Sequence, residues 1–369
     1  MRIAQVAPLY ESCPPQLYGG TERVVSYLTE ELVRLGHEVT LFASGDSRTD
    51  AVLQAPCAQA LRLDPSCRDP LAHHMVMLNR VMTCADLFDV IHFHTDYLHF
   101  PLFARRAART LTTLHGRLDL PDLPAVYREF PMMPLASISD AQRQPLWWAN
   151  WKATIYHGLP LDLYRRGDGK GGYLAFLGRI SPEKRLDRAI QIAQAVGLPL
   201  RVAAKVDKAD LDYFETMIRP LLTDPLVEFI GEIGEAEKGP FLGEALALLF
   251  PIDWPEPFGL VMIEAMANGT PVIAFPGGSV PEIIENGVTG FIVDSVKAAA
   301  SALGRIGSID RAVVRRRFEQ RFSAERMARD YLRVYQHLLE GGGWTAAHAP
   351  TAGRGSANEP DPEMTATVA

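Results

Sequence analysis

Pro255-Glu256-Pro257-Phe258-Gly259-Leu260-Val261-Met262-Ile263-Glu264-Ala265-Met266-Ala267-Asn268-Gly269-Thr270-Pro271-Val272-Ile273-Ala274 places two carboxylates eight positions apart around the start of a helix. Pro255 and Pro257 bracket Glu256 and hold its backbone extended, because proline fixes its own φ and pushes its predecessor out of the helical region. A helix over 258–268 is predicted, with Gly269 as its C-terminal stop and Pro271 beyond it. Its free N–H groups and positive dipole end, at Phe258, Gly259, Leu260 and Val261, suit a phosphate. Glu264 lies roughly 8 Å in from the tip at about 1.5 Å per residue. That is the separation of a nucleotide's phosphates from its ribose hydroxyls. One motif can therefore hold a sugar at Glu256, a diphosphate at the helix tip and a ribose at Glu264. The competing reading is an ordinary amphipathic helix with Glu264 in solvent.

Outward from this motif the chain alternates strands and helices. Strands are predicted over 3–7, 38–43, 89–94, 110–114 and 135–138, with a helix over 21–35 between the first two. A glycine-rich segment at 157–172 reads as an interdomain linker. Beyond it, strands are predicted over 173–177, 200–204, 227–230, 246–250, 272–274 and 290–293, with helices over 185–196, 211–222, 239–245, 296–305 and 310–321. A last helix over 323–339 has Ser323 as N-cap and Met327, Tyr331, Val334 and Leu338 on one face. The fold class is α/β, with a Rossmann-like half at 1–160 and another at 161–322. A ligand is expected between them, at the C-terminal strand edges. The helix over 323–340 is expected to pack back on the first half, and residues 341–369, which lack periodicity, to be disordered.

Composition narrows the partners. A chain of 369 residues, 47% of them hydrophobic, can fill two cores. Its net charge of −7 argues against nucleic acid. Cys13, Cys57, Cys67 and Cys84 form no C-x-x-C pair and read as reduced thiols of a cytoplasmic protein. The first eight residues are too short in apolar run for a signal peptide, and no stretch reaches the roughly 18 apolar residues of a membrane span.

Further motifs carry chemistry. In Gly178-Arg179-Ile180-Ser181-Pro182-Glu183-Lys184, a strand end is followed by two cations before a helix. Arg179 with its fork of donors and Lys184 as a point charge can neutralise a leaving diphosphate without a metal ion. Tyr18-Gly19-Gly20-Thr21-Glu22-Arg23-Val24 opens the first helix with a glycine pair, which by itself reads only as a helix entry. Together, EPFGLVMIEAMANGTPVIA, G-R-x-x-x-x-K and the glycine pair resemble glycosyltransferase family 4, and GGTERVVSYLTEELVRLGHEVTLFASGDS resembles a bacterial subgroup of it. The resemblance, over residues 1–340, implies a GT-B fold and a retaining, nucleotide-sugar-dependent enzyme. It implies that Arg179 and Lys184 meet the diphosphate, that Gly19 and Gly20 admit the donor phosphates, and that Glu256 and Glu264 orient sugar and ribose. It also implies that His115, in Thr113-Leu114-His115-Gly116, contacts the donor sugar.

His92 and His94 share a strand face and can mimic metal ligands. With positive charge already supplied by Arg179 and Lys184, no metal or other cofactor is expected; His94 is placed near the acceptor and His92 in packing. Ser139, in Ser137-Ile138-Ser139-Asp140, resembles a family turn on the acceptor side and reads equally as a helix cap. His73 and His74 read as surface residues. Trp147, Trp148 and Trp151 read as interdomain packing rather than a sugar platform. Glu282 in Gly278-Ser279-Val280-Pro281-Glu282 resembles a family residue that braces the donor half.

The resemblance thus implies a hexosyltransferase. It would move a sugar from a donor such as UDP-glucose to an acceptor hydroxyl by front-face attack, with the departing diphosphate taking the proton. Two alternatives stay open: a GT-B sugar-nucleotide epimerase and a non-catalytic sugar-nucleotide binding protein. The acceptor is open among carbohydrate, lipid-linked and small molecules; the subgroup resembles enzymes that glucosylate a reduced pterin. No lysine precedes Lys152, so at most peripheral membrane contact is expected.

Overall fold

The strands are built from Val, Ile, Leu and Ala because helices cover both faces of each sheet. The computed structural model describes residues 1–341; the expectation for the tail beyond lies outside the described residues. In the first sheet the strands are β1 (Arg2–Val6), β2 (Glu38–Phe42), β3 (Val52–Gln54), β4 (Val90–Phe93), β5 (Thr110–Thr113), β6 (Leu135–Ser137) and β7 (Trp151–Thr154). In the second they are β8 (Leu174–Ile180), β9 (Leu200–Val206), β10 (Val227–Gly231), β11 (Ala247–Phe250), β12 (Val272–Ala274) and β13 (Gly290–Ile292). All pairings between them are parallel, in the orders β3-β2-β1-β4-β5-β6-β7 and β10-β9-β8-β11-β12-β13. Strand order reverses between β1 and β4 and again between β8 and β11, and such switch points open a crevice at the C-terminal strand ends. The glycine pair follows β1, His94 follows β4, Arg179 sits in β8, and the Glu256 loop follows β11. The sequence motifs therefore converge on the two crevices.

The last helix, Ala324–Leu339, is capped by Ser323, whose hydroxyl accepts from Arg326 N at 3.2 Å. It buries Met327, Tyr331, Val334 and Tyr335 and lies on the first half, where Tyr335 meets Gln5 and Tyr331 meets Thr113. The glycine-rich segment is not a free strap. Gly167, Gly169 and Gly171 donate backbone bonds to Asn268, Gly243 and Glu244 at 2.9–3.1 Å, fastening it to the second half.

Several local expectations are corrected. Strands β3 and β7 and the helix Pro70–Thr83 were not expected. The helix expected over 185–196 begins at Leu186, because Arg185 adopts φ 55, and the one expected over 211–222 breaks into short turns around a π-helical Phe214–Ile218. His74 is not a surface residue: it is buried, and its Nε2 accepts from Leu9 N at 3.1 Å. Trp148 and Trp151 pack on the first half's own core while Trp147 is exposed, so the three neither bridge the halves nor reach the cleft.

Candidate functional site

The second half supplies one wall of a cleft of about 690 Å³. After β11 the chain bends at Trp254 and Pro257, with Glu256 N donating to Trp254 O at 2.9 Å, and Gly259 turns it at φ 77 into the helix Leu260–Ala267. The helix begins two residues later than expected from Phe258, because Gly259 makes a left-handed turn, which glycine adopts without a Cβ penalty. A Cβ on Gly259 would approach Met262, Phe250 and Glu256 at 2.8–3.3 Å. Phe258 itself is buried, edge-on to His157 at 4.7 Å. Across the cleft lies Gly20, the first residue of the helix Gly20–Arg34, with Gly19 as its N-cap. A Cβ on Gly20 would lie 3.5 Å from Leu260 Cδ1, so two helix N-termini face each other over a narrow gap.

Glu256 does not wait in solvent. Its Oε2 accepts from Trp254 Nε1 at 3.0 Å and from Lys184 Nζ. The ammonium also lies 4.9 Å from the Trp254 ring centroid and 5.6 Å from that of Phe250, which holds the cation by its face as well as by its partner. Arg179 donates to Glu183 at 2.5 Å, and its Nε lies 3.7 Å from Asp210, too far for a hydrogen bond. Glu264 is buried, 4% exposed, and accepts from Lys238 Nζ at 2.7 Å. Behind it Glu235 gathers Arg23 from the first half and Tyr164 from the connecting segment. The structure thus brings Arg179, Lys184, Glu256, Glu264 and the Leu260–Val261 amides to one wall.

The Glu256 loop is pinned from behind. Ser279 N donates to Glu256 O at 2.9 Å, and Gly278 takes φ 54 with its missing Cβ only 2.1 Å from that carbonyl oxygen. Gly278→Ala must therefore push the loop away. We expect a loss of at least about 2 kcal/mol of stability from left-handed strain plus the clash, read by thermal unfolding, together with displacement of Glu256.

The first half supplies the other wall. His94 Nδ1 and His115 Nε2 are 2.9 Å apart, and both residues line the cleft. Ser139 caps the helix Asp140–Arg143 by accepting from Gln142 N, and donates to the Pro257 carbonyl at 2.7 Å. It is a cap that also ties the two halves. Glu282 does not brace the second half alone: it reaches across to accept from Asp140 N and Ala141 N at 2.8 and 2.7 Å. His92 is buried and bonded to Tyr335 and Thr113, in the packing role expected. Among the described residues no group of three or more His, Cys, Asp or Glu side chains could hold a metal ion.

Glu22, beside the glycine pair, also lines the cleft, and burial pushes its carboxyl up to about 7 from the usual 4.5. The folded protein holds this proton more tightly than the unfolded chain, so Glu22 lowers stability progressively as pH rises from about 4.5 to about 7. Glu22→Gln is expected to raise the melting temperature by a few degrees at pH 8 and to leave it unchanged at pH 4. An equal shift at both values would contradict this reading.

Sequence reasoning missed Lys238, Trp254, Glu22 and the Arg23–Glu235 tie. Trp254 stood two residues before Glu256 and could have been suspected as its brace. Lys238 had no such signal, since only folding brings it to Glu264.

Two doubly wound parallel-sheet halves closing on a cleft between their switch points define a GT-B architecture. Comparison with known proteins agrees. A model described as Glycosyltransferase Family 4 matches residues 18–161, and one described as Glycosyl transferases group 1 matches residues 166–318. The chain belongs to the glycosyltransferase family 4-like proteins. Among curated relatives, the D-inositol 3-phosphate glycosyltransferase of Mycobacterium leprae (strain Br4923) is 31% identical over 167 residues, 38% of this chain and 37% of that protein. That of Streptomyces scabiei (strain 87.22) is 30% identical over 174 residues, 41% and 39% of the two chains. The chain thus spans well under half the length of these relatives. AviGT4, a glycosyltransferase involved in avilamycin A biosynthesis, superposes with a TM-score of 0.71 at 25% identity, over 94% of this chain and 100% of its own. Anabaena HepE in complex with UDP and glucose shares the fold at TM-score 0.69 and 18% identity, over 91% of this chain and 99% of its own. No helix among the described residues is long and apolar enough to cross a membrane.

Proposed function

We propose that the protein transfers a hexosyl unit from a nucleoside-diphosphate sugar, UDP-glucose first among candidates, to an acceptor hydroxyl with retention of anomeric configuration. The observation that carries this is the juxtaposition of the Leu260–Ala267 N-terminus with Lys184 and Arg179, flanked by Glu256 and Glu264. The amides and cations stabilise charge that develops on the leaving diphosphate, where preorganised donors have their largest effect on rate. The acceptor oxygen forms a bond to the anomeric carbon on the face from which the diphosphate departs. The bond from that carbon to the diphosphate oxygen breaks, and that oxygen takes the acceptor proton. Glu256 orients the sugar hydroxyls, Glu264 the ribose, and His115 the sugar from the opposite wall; His94 and Ser139 stand on the acceptor side. Lys184 and Glu256 are partners, which suits a site where a phosphate and its attached sugar bind side by side. With these cations in place we propose that no metal ion is required.

The test is a donor panel of UDP-, GDP- and ADP-sugars assayed with and without EDTA, followed by an acceptor screen with anomer assignment. Transfer with a retained anomer and no effect of EDTA is expected. Inversion, or epimerised donor without transfer, would overturn the reading.

A further inference from the structure

The first half lines the cleft with groups that the diphosphate does not need. They come from two neighbouring strands, β1 and β4, whose ends lie side by side with Val6 next to Phe93. Tyr10 follows β1, and Asp96 and Tyr97 follow β4; all three are exposed and line the cleft. Asp96 holds φ 49, a left-handed conformation that aspartate and asparagine adopt more readily than other residues with a side chain. Such a residue often steadies itself by hydrogen bonding its short polar side chain to nearby backbone. Asp96 does not: among the described residues its carboxylate has neither a hydrogen bond nor an ion pair. Desolvation by the cleft walls raises this carboxyl from the usual 3.8, and no cation stands close enough to offset it.

The cations of this wall are already engaged. Arg62 lies over the Tyr10 ring at 5.8 Å and donates to the buried Glu11 carboxylate at 2.7 Å. Arg23 is buried and is held by Glu235 and by the Leu17 carbonyl, to which it donates at 2.7 Å. No lysine precedes Lys152. His74, His94, His115 and His157 line the same wall, and burial pushes all four below the usual histidine range, His115 to about 3. Glu22, beside the glycine pair, adds a second carboxyl. The wall thus presents two carboxyls, two tyrosine rings and, among the described residues, no cation without a partner. A phosphate or carboxylate brought here would lose hydration without gaining a counter-ion, and would face Asp96 as a like charge. A hydroxyl or an ammonium would instead find an acceptor, and a tyrosine ring offers an apolar face with a polar tip to a ring-shaped polyol.

We propose that the acceptor is an uncharged or amine-bearing polyhydroxy compound, oriented by a hydroxyl or ammonium that donates to Asp96, and that the same carboxylate rejects phosphorylated and carboxylated acceptors. This deepens the proposed glycosyl transfer and rests on it, but the charge preference of the wall is testable without turnover.

Matched acceptors that differ only in charge test the proposal. The sets are glucose, glucosamine and glucose 6-phosphate; glycerol and glycerol 3-phosphate; and myo-inositol and its monophosphate, each offered with UDP-glucose and the product read by mass spectrometry. For every scaffold that is glycosylated, kcat/KM for the uncharged or amine form is expected to exceed that for the phosphorylated form by at least about 10-fold, the scale of like-charge repulsion across a partly solvated cleft. Asp96→Asn keeps the shape of the side chain and its tolerance of left-handed backbone, and is expected to shrink this ratio. Glu11→Gln releases the Arg62 guanidinium and is expected to shrink it too, which keeps the question open to test if Asp96→Asn does not fold. Equal or better use of a phosphorylated acceptor by the wild type overturns the proposal, and so does a ratio that neither variant changes. The second readout needs no turnover. With UDP saturating the full chain, binding of inorganic phosphate is followed by phosphorus-31 line broadening. A phosphate site that disappears in Arg62→Ala overturns the charge preference; no site, or one indifferent to Arg62, upholds it, whether or not any donor is transferred.

Discussion

Lys184→Ala is expected to lower kcat for glycosyl transfer by about 10²–10³-fold, the range found when one donor to a developing negative charge is removed. The ammonium is held in place for this role. Glu256 accepts from it, the Trp254 and Phe250 rings lie at its side, and the turn Pro182–Lys184 fixes its backbone. A side chain already in place incurs little further ordering cost in the transition state. Because the charge it meets is larger on the departing diphosphate than on the bound donor, kcat should fall more than donor affinity. Steady-state kinetics with the donor varied checks this. A variant with kcat unchanged and only KM raised would show that Lys184 contributes uniform binding instead.

Glu264→Ala is expected to weaken UDP binding by about 10–100-fold, the scale of hydrogen bonds to a charged group. The loss has two parts. The ribose hydroxyls lose their acceptor, and the Lys238 ammonium, mostly buried and 2.7 Å from Glu264, loses its counter-charge. Titration calorimetry with UDP and 2′- and 3′-deoxy analogues separates them, since removing the ribose hydroxyl and removing the carboxylate should not be additive. A Glu264→Ala variant that still discriminates UDP from both deoxy analogues as the wild type does would place the ribose elsewhere.

The two sheets were legible because their central strands are continuous apolar runs between helices, as at 247–250 and 272–274. The edge strands of the first sheet were not. β3 spans three residues and is partly exposed, and β7 opens on Trp151, so neither shows a buried run. Helix starts slipped wherever a left-handed residue does the turning: Gly259 before Leu260 and Arg185 before Leu186. The helix Pro70–Thr83 buries His74 on a face that also presents Met77, Leu78 and Val81, a stripe that went unread because His73 and His74 were taken as surface residues.

At the cleft, residues whose partners lie close in sequence were readable, as with the prolines around Glu256. Partners brought by the fold were not. Lys238 reaches Glu264 from another helix, Arg23 reaches Glu235 from the other half, and Glu282 reaches the Asp140 and Ala141 amides from the second half. Gln5 carries no signal in the sequence. Its meaning emerges only when Tyr335, 330 positions away, closes over it.

A structure of the protein with UDP bound tests the central claim most directly. The account predicts the diphosphate within about 3 Å of the Leu260 and Val261 amides, with Arg179 and Lys184 turned to it and both ribose hydroxyls on Glu264. A diphosphate lodged away from that helix tip, or a ribose that leaves Glu264 with Lys238 alone, would contradict it.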